Sequence, residues 1–181
     1  MQGFRQLAGI DYKETYAPVA NSKVVRLAMA IGAHTDLEIE HVDFTQAFLN
    51  APIDEDIYVA PPEGASKLPP GQAWFLLRAL YGCMQSPRCW HKTIKAYLYK
   101  AGFVDAGFEG TVFVRKTATS YFLLVLYVDD LLIFHDNAAE CIIFKSFLEE
   151  TFKCTTDGDL NWHLGISYTR DCVAKKIFCD Q

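Results

Sequence analysis

Apolar positions recur along the chain with two periods. In "SKVVRLAMAIGAH" they return at Val24, Leu27, Ala28 and Ile31, a helical spacing, behind a Ser22 suited to capping the first turn. "SPRCWHKTIKAYLYKAGF" repeats that period at Trp90, Ile94, Tyr97, Leu98 and Ala101, with Ser86 at the cap, Pro87 in the first turn and Gly102 as the stop. A third helix is predicted from Asn137, with Glu140 three residues on as in a capping box, through Phe144, Phe147 and Leu148 to about Phe152. Strands are predicted at "LEIEHVDF", where Leu37, Ile39 and His41/Val42 alternate imperfectly with acids up to Asp43, and at "IYVA", "TVFVRK", "YFLLVLY", "LLIF", "WHLGISY" and "KKIFCD". "TQAFLN" reads as a short turn of helix or a tight bend.

The stretch 57–74 contains two proline pairs, Pro61/Pro62 and Pro69/Pro70, and reads as a loop or irregular surface lobe after its short strand. From Leu37 onward the order is strand, helix, strand, strand, helix, strand, which is the split arrangement of ferredoxin-like sheets. Between the fourth and fifth predicted strands the run "YFLLVLYVDDLLIF" is interrupted by Asp129 and Asp130, so the hairpin has an acidic tip. No repeat, low-complexity tract or linker divides the chain, and one domain is expected over 1–181.

At 181 residues and 51% apolar, the chain can bury the core of an ordinary globular domain. The six cysteines have no CxxC spacing and no histidine pairs at zinc-finger intervals, so reduced core thiols are expected. No apolar run reaches the roughly 18 residues of a membrane span and the start is no signal peptide, which predicts a soluble intracellular protein with no membrane partner. The net charge of -5 argues against an extended surface for nucleic acid.

Chemistry concentrates in three acids. In the split topology the first strand neighbours the hairpin, so Asp43 can converge with Asp129 and Asp130 across 86 positions of sequence. Carboxylates that close repel one another unless divalent cations neutralise them, and carboxylate oxygens are hard donors of the kind Mg2+ prefers. Two such ions could support an in-line phosphoryl displacement. The dipeptide alone fits an ordinary acidic turn better, and an acid at a strand end is commonly just solvated. No pattern supports a glycosidase pair, a phosphate-cradling glycine loop, a zinc-protease helix or a serine nucleophile elbow.

Five stretches in order, "GIDYKETYAPVA", "VDFTQAFLNAPIDEDIYVAPPEG", "LRALYGCMQSPRCWH", "LLVLYVDDLLIF" and "DGDLNWHLGI", resemble the reverse transcriptase of copia-type long-terminal-repeat retrotransposons over residues 3 to 181. The resemblance implies an α+β fold of right-hand polymerase type: a ferredoxin-like palm, mostly antiparallel with helices on one face, at about 37–59 and 106–181, and a partial fingers lobe at 1–36 and about 60–105. It implies that Asp43, Asp129 and Asp130 are catalytic and, with the carbonyl of Phe44, hold two Mg2+ ions, Mn2+ being an alternative. Phe48 would be the aromatic gate against a ribonucleotide 2'-hydroxyl, although a core phenylalanine fits the position too. Tyr81, Gly82, Gln85, Ser86 and Pro87 would position the incoming nucleotide and template, and Gly165 would lead toward the primer grip.

The implied partners are a deoxynucleoside triphosphate, an RNA or DNA template with its primer, and the integrase and RNase H of a parent polyprotein in a cytoplasmic virus-like particle. The family usually begins with a basic triphosphate-binding strand and continues into thumb, connection and RNase H portions. Truncation at both ends is therefore expected, with Gln2 where Lys is frequent and Arg5 as the nearby cation. A palm rich in carboxylates also accounts for the acidic balance. Two readings of function follow: an RNA-directed DNA polymerase domain, or an inert, decayed or co-opted fragment acting only as a folded or binding module.

Overall fold

A computed structural model describes residues 2–62, 64–65 and 68–180, with the backbone alone at 157–159. In chain order it contains α1 (Ser22–His34), β1 (Glu38–Phe44), β2 (Tyr58–Val59), β3 (Trp74–Phe75), α2 (Ser86–Lys100), β4 (Val104–Asp105), β5 (Val112–Lys116), β6 (Tyr121–Tyr127), β7 (Asp130–His135), α3 (Ala138–Thr151), β8 (Cys154–Asp159), β9 (Trp162–His163), β10 (Ile166–Asp171) and β11 (Lys176–Asp180). The chain divides into two compact units, Met1–Ala17 with Gln46–Ile94, and Pro18–Thr45 with Lys95–Gln181.

The first unit is sparse in regular structure. Short 3-10 turns lie at Gly3–Arg5 and Ala47–Asn50, and β2 pairs antiparallel with β3, Tyr58 opposite Phe75 and Val59 opposite Trp74. The two proline pairs between β2 and β3 keep the ladder from extending into the loop, because Pro donates no backbone hydrogen bond, and at the other end Leu76 N–H bonds the Ile57 carbonyl. The predicted lobe at 57–74 is thus a minimal hairpin, and its residues 63, 66 and 67 lie outside the described residues.

The second unit is built on a six-stranded sheet of order β4-β5-β6-β7-β1-β8, every pairing antiparallel. Within it, the neighbours β6-β7-β1-β8 have the order expected of the split motif. A second sheet, β11-β10-β9, is also antiparallel. The fold is therefore α+β.

Helices cover both faces of the large sheet, whereas one face was expected. Phe134, Leu132, Leu123 and Val125 join Val25, Ala28 and Met29 of α1 in one core. On the other face Phe122 meets Phe144 of α3 at 6.3 Å between ring centroids, and Phe103 meets Phe144 at 4.9 Å. The cause is in the central strands: β6 and β7 are apolar at consecutive positions, so each presents hydrophobic surface on both sides. Gly32 of α1 allows the close approach, since a Cβ there would stand 2.7 Å from Phe134 Cδ1.

The helix ends refine the prediction. Asn21, not Ser22, caps α1, its side chain accepting from the N–H groups of Lys23 and Val24, and the buried stripe falls one residue off the predicted one, at Val25, Ala28, Met29 and Gly32. Ser86 is the first residue of α2, and its hydroxyl donates to the Leu80 carbonyl. α2 does stop before Gly102, where Phe103 N–H returns to Leu98 O and Gly102 N–H to Tyr99 O. Asn137 caps α3 through Glu140 N–H, while the Glu140 carboxylate turns to Ser120, Thr119 and Arg115.

"WHLGISY" is two strands, not one. Leu164 at φ 51° and Gly165 at φ 78° make the turn between β9 and β10, a left-handed pair in which glycine relieves one of the two positions. Of the cysteines, Cys83, Cys89 and Cys141 are buried free thiols as expected, but Cys172 and Cys179 are exposed. No helix among the described residues is long and apolar enough to cross a membrane.

Candidate active site

The sheet brings the three acids of the second unit to one end. β1 and β7 pair in a register that sets Asp43 directly opposite Asp130, and β6 and β7 pair Tyr127 with Asp130. Val128 and Asp129 are left as a two-residue turn. The Phe44 N–H donates to the Asp129 carbonyl at 2.7 Å, which ties the turn to the end of β1. In this turn only the first central residue, Val128, has positive φ, at 51°. A β-branched side chain there is held at a cost of about 1–3 kcal/mol, the kind of strain that clusters at functional sites.

Side chains two apart on a strand share a face, so His41 stands beside Asp43. His41 Nε2 is 2.6 Å from Asp130 Oδ1, and His163 Nδ1 from β9 is 3.9 Å from the same oxygen. His163 is buried, its Nε2 without a hydrogen-bond partner, and its ring meets His41 at 5.4 Å and Tyr127 at 6.3 Å between centroids. Burial lowers the His163 pKa and nearby His41 lowers it further, against the pull of Asp130, so the ring is held neutral. Sequence reasoning missed both histidines as site members. For His41 the signal was available in its period-two relation to Asp43; for His163 it was hidden, because a residue on β9 reaches Asp130 only through the return of the chain after β8.

Phe44 buries its ring against Phe152 at 5.6 Å between centroids, which leaves its backbone as the part able to serve a ligand. Gly165 lies in the β9–β10 turn of the same unit.

The remaining predicted residues belong to the first unit. Phe48 and Tyr81 pack ring to ring at 4.5 Å between centroids, Phe48 half-buried and Tyr81 more exposed. Gly82 has φ 93°, a left-handed conformation that strains larger residues, and its carbonyl would lie 2.0 Å from a Cβ at Gly3, so Gly3 has no room for one. Gln85 is fully buried: its Oε1 accepts from Gln6 Nε2 at 3.0 Å and its Nε2 donates to Asp11 O at 2.9 Å. Gln6 Oε1 in turn accepts from Met84 N–H. The loop from Leu80 to Ser86 is thus clamped from within by side chain to backbone bonds. Pro87 follows in the first turn of α2, and Arg88 pairs with both Glu14 and Asp54.

Residues 1–180 match the family model for reverse transcriptase (RNA-dependent DNA polymerase). The chain belongs to the reverse transcriptase family. Among relatives, the retrovirus-related Pol polyproteins from transposons RE2 and RE1 of Arabidopsis thaliana are 30% and 31% identical over 170 residues, 93% of this chain and 12% of each relative. That from transposon TNT 1-94 of Nicotiana tabacum is 29% identical over 185 residues, 100% of this chain and 14% of the relative. These matches bear out the resemblance to copia-type reverse transcriptases, and the chain spans about one eighth of the length of these relatives. No solved structure matches it.

The chain holds a second polar cluster, on the opposite face of β1. Glu40 accepts from Lys145 Nζ, lies 3.0 Å from His135 Nε2 and takes a hydrogen bond from the Cys141 thiol. Burial first, and the Glu40 charge second, push the Cys141 thiol up to about 12, so it stays protonated and acts as a donor to Glu40. The cluster ties β1 to β7 and α3, with His135 Nδ1 left buried without a hydrogen-bond partner.

Proposed function

We propose that the chain is the RNA-directed DNA polymerase domain of a copia-type retrotransposon Pol polyprotein, transferring a nucleotide from a deoxynucleoside triphosphate to a primer 3'-hydroxyl. The observation that carries this reading is the ladder register that sets Asp43 opposite Asp130 with Asp129 in the adjoining turn. Membership of the reverse transcriptase family supports it. Asp43, Asp129, Asp130 and the Phe44 carbonyl are hard oxygen donors gathered at one strand end, a donor set that suits Mg2+ or Mn2+. Bound there, two such ions would supply activation of the hydroxyl and neutralisation of the charge that develops on the phosphate oxygens.

The other residues of the chain bind and orient. The 3'-oxygen attacks the α-phosphorus, the bond to the β-phosphate breaks and pyrophosphate leaves, so the protein's contribution is placement and a fixed field rather than a covalent intermediate. The strained Val128 turn presents Asp129 in one arrangement. Phe48, braced by Tyr81, acts as the gate beneath the sugar; Tyr81 and Gly82 form the nucleotide-facing part of their loop. The Gln85 amide is occupied by Gln6 and Asp11, and its part in nucleotide binding is to hold that loop in shape. Residues 1–36 and about 60–105 act as fingers, and about 37–59 and 106–181 as palm. The template with its primer, and the integrase and RNase H of the polyprotein within a cytoplasmic virus-like particle, complete the proposed setting.

Primer extension on poly(rA)/oligo(dT) with Mg2+ or Mn2+ tests the reading. Extension by the chain that Asp129→Asn abolishes is the expected result. Extension unaffected by that change overturns the assignment of the acids, and no extension by either protein favours an inert fragment.

A further inference from the structure

His41, Asp130 and His163 converge from β1, β7 and β9, and nucleotidyl transfer gives neither histidine a task. Their donor atoms all lie within 4.8 Å of one another. His163 is 3% exposed; its Nε2 is buried without a partner, and its Nδ1 is aimed at Asp130 Oδ1 from 3.9 Å, too far for a hydrogen bond. A buried imidazole that does not spend its nitrogens on protein is a departure from how interiors treat polar groups. A tetrahedral ion with bonds of about 2.0–2.2 Å holds its ligand atoms roughly 3.3 Å apart. The 3.9 Å separation from His163 would have to close, and the 2.6 Å separation from His41 to open, by less than an ångström each.

Two imidazoles and one carboxylate favour borderline transition ions over Mg2+, which prefers oxygen alone. We propose that His41, Asp130 and His163 form a binding site for one zinc-class transition-metal ion, separate from the arrangement of Asp43 and Asp129. Three protein donors leave a fourth position for water. The site is independent of the polymerase reading; a consequence that does rest on that reading is that a bound ion withdraws Asp130 from the catalytic acids.

Titration of the whole chain with Co2+ tests the site, because tetrahedral Co2+ absorbs strongly in the visible whereas an all-oxygen octahedral ion does not, and Zn2+ should then displace it. One equivalent is expected to bind. His163→Phe, which keeps the volume, and His41→Gln, which keeps a hydrogen-bonding group beside Asp130, should each weaken binding at least about tenfold. Asp129→Asn should leave it unchanged, which separates this outcome from failure of the catalytic assignment, read by primer extension. Absence of saturable binding, wild-type affinity in both histidine variants, or loss with Asp129→Asn overturns the proposal. X-ray absorption of the zinc-loaded wild type needs no variant: scattering from two imidazoles is expected, and from none or one refutes it.

Discussion

Glu40→Gln isolates the charge of the cluster behind β1 with almost no change of shape. Glu40 is 13% exposed, and it is shared by Lys145 at 18% and His135 at 0%. Removing one member of a buried ion pair costs about 3–5 kcal/mol because the other charge is left uncompensated. Lys145 has a flexible stem and some access to water, and glutamine can still accept one hydrogen bond, which brings the expected loss to about 2 kcal/mol. For a chain of this size that corresponds to a fall in Tm of about 4–8 °C. Burial works against the Glu40 charge, but Lys145, His135 and Cys141 together hold its carboxyl below the ordinary range. Its contribution is therefore present at neutral pH and disappears as pH falls through that lowered value. The Lys145 ammonium is held above its ordinary range by Glu40 against the cost of burial, so its share vanishes only as pH rises through that raised value. Thermal and urea unfolding of the wild type, Glu40→Gln, Lys145→Met and the double variant measure this directly. The double variant should fall short of the sum of the singles by about 1–2 kcal/mol. Additive losses, or a Glu40→Gln cost under about 0.5 kcal/mol, would refute the reasoning.

Gly32→Ala should lower stability by about 1 kcal/mol in a melt, because the clash with Phe134 exceeds the helix propensity gained; a rise in Tm would contradict the close approach. Gln85→Leu strands Gln6 Nε2 and Asp11 O and should cost about 2–3 kcal/mol by urea unfolding, with an unchanged midpoint counting against the clamped loop. In an active preparation Phe48→Ala is expected to increase ribonucleotide incorporation, and unaltered sugar selectivity would remove the gate from Phe48.

Elements with strong local signals were legible in the sequence: the periodic stripes of α2 and α3, the apolar hairpin, and β1 running to Asp43. What escaped had a tertiary cause. β8 reads "CTTDGD", polar and turn-like, and becomes a strand because β1 offers an open edge whose backbone groups must be paired, with a bulge between His41 and Val42 absorbing the misfit. Local pattern cannot reveal that α1 packs opposite α3, since a strand apolar on both sides does not say which helix takes which side. In the site, Asp43 and Asp130 could be brought together by topology alone, but their histidine neighbours could not: His163 owes its place to the turn at Leu164–Gly165 inside a run that resembles one strand.

Because β7, like β6 beside it, is apolar on both faces, a slip of one residue in its pairing with β1 would still bury hydrophobic side chains, and hydrophobicity offers little protection against it. The site would suffer at once, since a slip takes Asp43 away from Asp130 and turns one of them to the opposite face. Correct alignment is left to polar ties across that pairing: the bond from Phe44 N–H to the Asp129 carbonyl, and the contacts of His41 with Asp130 and of Glu40 with His135. The acids are thus a gauge of folding fidelity, and a misaligned population would keep its hydrophobic core while losing both the Glu40–His135 tie and the acidic end of the sheet.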